Sequence, residues 1–352
     1  MRLFLSLTLM IASFQLLGQH VTFGERDLKV HANNLFFDKE GLVYPEIFID
    51  DDTLKKHNSS LRLWYLAHPA LFDSLFHAHV VNGYMNLEIN ERISRLNEQL
   101  LREHAVSFNQ DKGTLLIAIH GFRKSFFQQN NDVPSGKEFE LLQADLKKHG
   151  LQTTKHLDVY WDAMYDCCFS TDLKRNDYLF SLFDTALIQA NQVGRSMRLF
   201  VNALLADQIQ IVAHSLGSRV AVKSVEHLTN SAKIKVALLA AAIPGSDISE
   251  GIRTKAISSK VQWLVYYNEN DFVLHKKDPK IGIIGPGSYD HGVTTLGSNK
   301  KKDALKTAKA INKFDSSIVF QLRNANAVGK CHSLRCYTKA QFLLPMVQFF
   351  LD

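Results

Sequence analysis

The chain has 352 residues, of which 46% are hydrophobic and 22% charged, the balance of an ordinary globular protein with a large core. One large α/β domain accommodates that length. The net charge of +6 is mild and comes partly from scattered lysines such as Lys276-Lys277 and Lys300 to Lys302; no basic stripe is interleaved with aromatics, which excludes nucleic acid as the expected partner.

Met1-Arg2 precede an apolar run from Leu3 to Leu17 that closes on Gly18-Gln19. A charged start, an apolar stretch of roughly fifteen residues and a small residue at the end predict a secretory signal peptide over residues 1–18, because a membrane span needs about twenty residues. A secreted or periplasmic protein with no membrane span in the mature chain is expected. Residues 19–111 form an N-terminal region, either an extension or the first strands of a sheet with covering helices. Within it Leu35-Phe36-Phe37 and Leu42 to Ile49 flank Asp38-Lys39-Glu40-Gly41 and predict a hairpin. Leu61 to Val81 and Tyr84 to Val106 predict two helices, the second with Leu87, Ile93, Leu96, Leu100 and Leu101 on its apolar side.

Residues 112–352 form the second region. Thr114 to Ile119 is a compact buried-strand pattern that runs into His120-Gly121-Phe122-Arg123. Lys137 to Lys148 predicts a helix closed by Gly150, and His156 to Trp161 the next strand, with Asp162, Tyr165 and Cys167-Cys168 at its C-terminal end. A long helical stretch, Tyr178 to Ala206, leads to Gln208–Arg219, which reads Q-I-Q-I-V-A-H-S-L-G-S-R. That stretch passes from a β-branched strand through a sharp turn into a helix. A serine lodged in such a turn has its hydroxyl lifted clear of the sheet and set over the free N–H groups of the helix N-terminus.

Ile234 to Ala241 and Val261 to Tyr267 predict further strands, followed by Asp247 after the first and by Glu269 and Asp271 after the second. His275 to Ser316 reads as a long loop insertion holding the glycines of Gly282 to Gly287 and then His291; its spacing fits neither nucleotide fingerprint, and its place suits a lid. Ser317 to Leu322 predicts the last strand, and Gly329 to Ser333 precede a C-terminal helix with Phe342, Leu343, Val347 and Phe350 on its apolar side. Alternation of strands and helices predicts an α/β fold, a mostly parallel central sheet with helices on both faces.

Ala213-His214-Ser215-Leu216-Gly217 resembles the nucleophile elbow of the α/β-hydrolase family, G-x-S-x-G, and departs from it at Ala213. His120-Gly121-Phe122 resembles the family's oxyanion loop, and the two motifs together are similar to those of small exported esterase- and lipase-like hydrolases. Over Thr114 to Asp352 the resemblance implies an α/β-hydrolase catalytic domain. Ser215 is then the nucleophile, and the backbone N–H groups of Phe122 and Leu216 are the oxyanion donors. The acid is expected at Asp271, with Asp247 and Glu269 as alternates, and the base at His332, with His291 as its rival. Ser215, Asp271 and His332 follow the chain order of the family's triad. His120, Gly121, His214, Trp161 and Asp162 are expected around the substrate.

The implied activity is hydrolysis of a small-molecule or lipid carboxylic ester through an acyl-enzyme, with no cofactor and no metal; the alternative is a binding protein on the same fold without turnover. The four cysteines fall as Cys167-Cys168 and as Cys331 with Cys336. Export permits disulfides, the pairing stays open, and neither pair has the C-x-x-C spacing of a zinc site.

Overall fold

The computed structural model describes residues 33–45, 60–80, 84, 86–109, 112–122, 135–161, 183–275, 277–278, 282–283, 295–299 and 302–352. The expected signal peptide, Asp162, Tyr165, Cys167, Cys168, His291 and part of the expected lid, residues 284–294 among it, lie outside these residues.

Seven strands form one sheet, and every pairing in it is parallel. In chain order they are β1 (Asn34–Phe37), β2 (Thr114–Ile119), β3 (Lys155–Trp161), β4 (Gln208–His214), β5 (Lys233–Leu239), β6 (Gln262–Tyr267) and β7 (Phe320–Asn324), arranged β1-β3-β2-β4-β5-β6-β7. The central strands are rich in Ile, Val and Leu and are buried along almost their whole length, as expected of parallel strands covered on both faces.

The helices are α1 (Leu61–Ala67), α2 (Pro69–His79), α3 (Ile89–Phe108), α4 (Ser135–Lys148), α5 (Phe183–Ala203), α6 (Gly217–Ser224), α7 (Ser246–Arg253), α8 (Phe272–His275), α9 (Asp303–Phe314) and α10 (Ala340–Leu351). Helix α5 packs against α6 and α3, whereas α4 packs beside α10. Strand periodicity explains how α10 is held. Gln208 and Gln210 point to one face of β4 and donate to the Phe350 carbonyl at 2.9 and 3.2 Å, while Ile209 and Ile211 point the other way and are fully buried. On β5, across from Gln210, Lys235 Nζ donates to the carbonyls of Phe349 and Phe350 at 2.9 and 3.0 Å. These are carbonyls in the last turn of α10 that the helix itself leaves without donors.

The N-terminal region contributes to this sheet. β1 pairs with β3, and α3 buries a stripe of Ile93, Leu96, Leu101, Ala105 and Phe108 and packs against α5 and α2. The expected hairpin turn is present as a strand, a tight turn and one antiparallel bridge, Phe37 to Val43; the second run beyond Pro45 lies outside the described residues. The turn is organised by Asp38, which is fully buried: its carboxylate accepts from Glu40 N–H and Leu42 N–H, both at 2.8 Å, and from Leu61 N–H at 2.9 Å. Burial pushes its pKa up to about 7 against those three donors. Gly41 closes the turn at φ 79°, where a side chain would meet the Gln192 backbone of α5 at 2.8 Å.

Three expectations change. The helix predicted over Leu61 to Val81 breaks at His68, because Pro69 cannot continue it and pushes the preceding residue out of the α region, here to φ −126° and ψ 59°. The stretch predicted as a loop from His275 to Ser316 contains α9, whose Ala304, Thr307 and Ile311 form a buried stripe among exposed lysines. The last strand begins at Phe320 rather than Ser317, since Asp315 and Ser317 form a turn closed by the Asp315 carboxylate.

Candidate active site

β4 passes directly from His214 into Ser215, whose φ of 52° lies in the left-handed region that side chains avoid. Backbone bonds hold it there. Ser215 N–H donates to the Leu239 carbonyl at 2.9 Å, and the Ser215 carbonyl accepts from Ser218 and Ala242 N–H, both at 3.1 Å. The serine therefore stands at the head of α6, with Leu216 as the residue that turns the chain into the helix.

The neighbouring loop fits against this turn only because two positions lack side chains. A methyl at Gly121 would stand 2.6 Å from Ser215 Cβ and 3.3 Å from its Oγ. One at Gly217 would stand 2.8 Å from the Ile119 carbonyl and nearer still to that of His120. His120, Gly121 and Phe122 thus run against the elbow. Ala213, by contrast, is a mid-sheet residue flanked by Ile119 and Leu238, and its methyl is accommodated in the core.

Asp271 follows β6 and is fully buried. Its Oδ1 caps α8, accepting from Val273 N–H at 3.0 Å and Leu274 N–H at 3.1 Å. The other oxygen, Oδ2, lies 2.7 Å from His332 Nδ1. His332 sits in the loop between β7 and α10, and its Nε2 lies 2.9 Å from Ser215 Oγ. A carboxylate oxygen can only accept, so Nδ1 carries the proton and Nε2 of the neutral ring is left to accept the Ser215 O–H. Three residues separated by 117 positions in the chain are joined in one hydrogen-bonded line. Tyr337 is buried nearby, and its phenol is pushed up by burial and then by the charge of Asp271.

The other acids are turned elsewhere. Asp247, in the first turn of α7, forms an ion pair with Arg219 of α6. Glu269 accepts from Asn299 Nδ2 at 2.8 Å and Asn326 Nδ2 at 3.2 Å. Of the three candidates, Asp271 is the carboxylate bonded to His332.

His120 commits both ring nitrogens to the backbone: Trp161 N–H donates to Nε2 at 3.1 Å, so Nδ1 carries the proton and donates to the Gly121 carbonyl at 2.7 Å. The Trp161 indole stacks on this ring and donates from Nε1 to the His120 carbonyl at 3.0 Å. These bonds shape the loop that carries Gly121 and Phe122. His214 Nε2 lies 2.6 Å from the His332 carbonyl.

The sequence reading missed the supports of the His332 loop. Asn268, fully buried, donates to the Gly329 carbonyl at 2.7 Å, and Ser333 Oγ donates to the buried Glu138 of α4 at 2.9 Å. Cys331 and Cys336 are disulfide-bonded and bracket the histidine. The one available signal was the adjacency of Cys331 to His332. Among the described residues no cluster of three His, Cys, Asp or Glu side chains is placed to hold a metal ion, and no helix is long and apolar enough to cross a membrane.

The molecule is an α/β fold whose parallel sheet presents a strained serine, a histidine and an aspartate from the C-terminal ends of β4, β7 and β6, the arrangement of the α/β-hydrolase fold. No protein-family model matches the chain, and neither does any curated protein. Solved structures similar to it include an uncharacterized protein from Bacillus cereus, at 10% identity over 74% of this chain and 71% of that one, with a TM-score of 0.34. Dipeptidyl peptidase 4 of Porphyromonas gingivalis matches at 10% identity over 69% of this chain and 31% of that one, with a TM-score of 0.30. Esterase B of Lactobacillus rhamnosis matches at 10% identity over 86% and 96%, also with a TM-score of 0.30. Likenesses this distant carry no argument about chemistry, which rests on the site itself.

Proposed function

We propose that this chain is a serine hydrolase that cleaves carboxylic esters through an acyl-enzyme. The observation that carries the reading is the line Ser215 Oγ, His332, Asp271, with bonds of 2.9 and 2.7 Å, starting from a serine at φ 52°.

A serine hydroxyl is a weak nucleophile until a base in hydrogen-bond reach removes its proton, and the base needs a third group to fix its tautomer. In the proposed reaction His332 Nε2 takes the Ser215 proton as Oγ attacks the ester carbonyl. Asp271 holds Nδ1–H and offsets the charge of the imidazolium that forms. The backbone N–H groups of Phe122 and Leu216 receive the oxyanion. Collapse of the tetrahedral intermediate expels the alcohol, which takes its proton from His332. Water, deprotonated by the same nitrogen, then attacks the acyl-enzyme and releases the acid, returning the proton to Ser215. The proposal includes export, to the periplasm or outside the cell, on the reading of residues 1–18 as a signal peptide.

A fluorophosphonate probe tests the reading, because it reacts with an activated serine without needing the right acyl group. Labelling of the wild-type protein at Ser215, lost in Ser215→Ala, is the expected result. Unlabelled wild-type protein beside a normally labelled control hydrolase would overturn it and leave the fold as a binding scaffold. A panel of esters of increasing acyl length, with one matched amide, then assigns the substrate class.

A further inference from the structure

We infer that His214 is a positioning residue for the base: through the His332 carbonyl it ties the histidine loop to the strand that carries the nucleophile. The inference rests on the acyl-transfer reading and deepens it.

Nothing in the backbone pattern of the loop makes it rigid by itself. Between β7 and α10 the chain has only two short 3₁₀ turns, Asn326–Val328 and Leu334–Tyr337, and no strand pairing. Its register on the sheet is set by the bonds it receives. Asn268 holds Gly329, the disulfide joins Cys331 to Cys336, and Glu138 holds Ser333. All three act on flanking residues. His214 acts on His332 itself.

The geometry identifies the donor. The His332 carbonyl can only accept, so His214 Nε2, 2.6 Å away, carries its proton and donates. The two imidazole centroids are 5.0 Å apart and inclined at 51°, so the rings do not stack, and the link between the residues is the bond to the backbone. His214 is 4% exposed and is the last residue of a central strand paired on both sides, to β2 and β5. Its chain neighbour is Ser215. Nucleophile and base are therefore referenced to two consecutive residues of one strand, and any shift of that strand carries both. This matters because a misplacement of about 1 Å between reacting groups lowers turnover by about 10²-fold.

Three variants of the full-length protein test the assignment. His214→Phe keeps the ring and removes the donor; it is expected to lower kcat by about 10- to 100-fold with little change in KM. His214→Gln restores an N–H donor near the same place and is expected to recover most of that loss. A role in packing alone predicts the reverse order, with Phe the better tolerated. His214→Leu is the third, for use if His214→Phe does not fold. A proton NMR measurement supplies a readout that packing alone would not move: the low-field Nδ1–H resonance of His332, bonded to Asp271, is expected in wild type and His214→Gln and broadened or lost in His214→Phe or His214→Leu. Wild-type kcat and an unchanged resonance in a folded variant lacking the donor would overturn the inference. So would ring nitrogen shifts showing the wild-type His214 proton on Nδ1 rather than Nε2. These NMR readouts need no turnover, so a wild type that escapes the fluorophosphonate probe refutes the hydrolase reading separately.

Discussion

The two ends of the same sheet bury polar side chains to opposite purposes. At the N-terminal ends of β4 and β5, Gln208, Gln210 and Lys235 reach the carbonyls of Phe349 and Phe350, and the bonds stop there. At the C-terminal ends, Asp271, His332 and Ser215 also form a line of bonds, but it ends on a hydroxyl held at a strained φ beside a loop kept close by Gly121. Both sets satisfy buried polar groups, as the low dielectric of the interior demands. The difference is that the first ends on helix carbonyls with nothing further to give. The second ends on a group whose proton the histidine can take, and the sheet holds that group in place.

Breaking the second set is expected to abolish turnover and spare stability. Ser215→Ala and His332→Ala each lower ester hydrolysis on the order of 10⁴-fold or more, measured as kcat/KM, with the melting temperature retained. Asp271→Asn does the same and is the sharper test, because the amide keeps an oxygen for Val273 and Leu274 N–H and so preserves the cap on α8. Activity surviving in His332→Ala would move the base to another residue.

Gly121→Ala sits between the extremes. Its methyl meets Ser215 Cβ at 2.6 Å, so loop or serine must shift, and kcat is expected to fall about 10²-fold with a stability loss of about 1–3 kcal/mol. Lys235→Met, at the other end, should show the mirror image. It removes the donor from two carbonyls of α10 and is expected to lower unfolding free energy by about 1–3 kcal/mol in urea titration, with kcat and KM unchanged. A large loss of kcat in Lys235→Met would break the division between the two ends.

The smallest effect is a slope. Asp158, midway along β3, accepts from Gln143 Nε2 at 2.8 Å, and burial pushes its carboxyl up from the ordinary 3.8 to about 7. Between those values the folded protein holds a proton that the unfolded chain has released. Stability therefore falls as pH rises from about 4 to 7, by some fraction of the roughly 1.4 kcal/mol per pH unit that one fully differential proton carries. Asp38, pushed up to about 7 by burial, adds a slope of the same sign, so Asp158→Asn is expected to reduce the slope without abolishing it; an identical slope in wild type and variant would show that Asp158 does not titrate there.

Much of this could be read from local pattern. Strands β2, β4, β5 and β6 announce themselves as short β-branched runs, and the turn at Ser215 by a small-residue frame on both sides. These signals are local because hydrophobic burial and turn sterics act within a few residues. Asp271 and His332 are the leading candidates that the resemblance to the α/β-hydrolase family implies, but Asp247, Glu269 and His291 are of the same chemical types in comparable places. Choosing Asp271 over Asp247 and Glu269 took the sheet, which turns Asp247 to Arg219 and Glu269 to two asparagines. The helix in the lysine-rich stretch after Lys302 gives little local signal because its buried stripe is only three residues deep.

What the amino-acid sequence determined by itself was the central strands and the elbow, since strand period and a strained small-residue turn are written in neighbouring residues. Only the tertiary structure decided which acid faces the base, how Asp38 draws the first strand's turn onto α1, and that His214 holds the carbonyl of His332. Those depend on bonds between residues 23 to 118 positions apart, formed only once the parallel sheet has brought the ends of its strands to one edge.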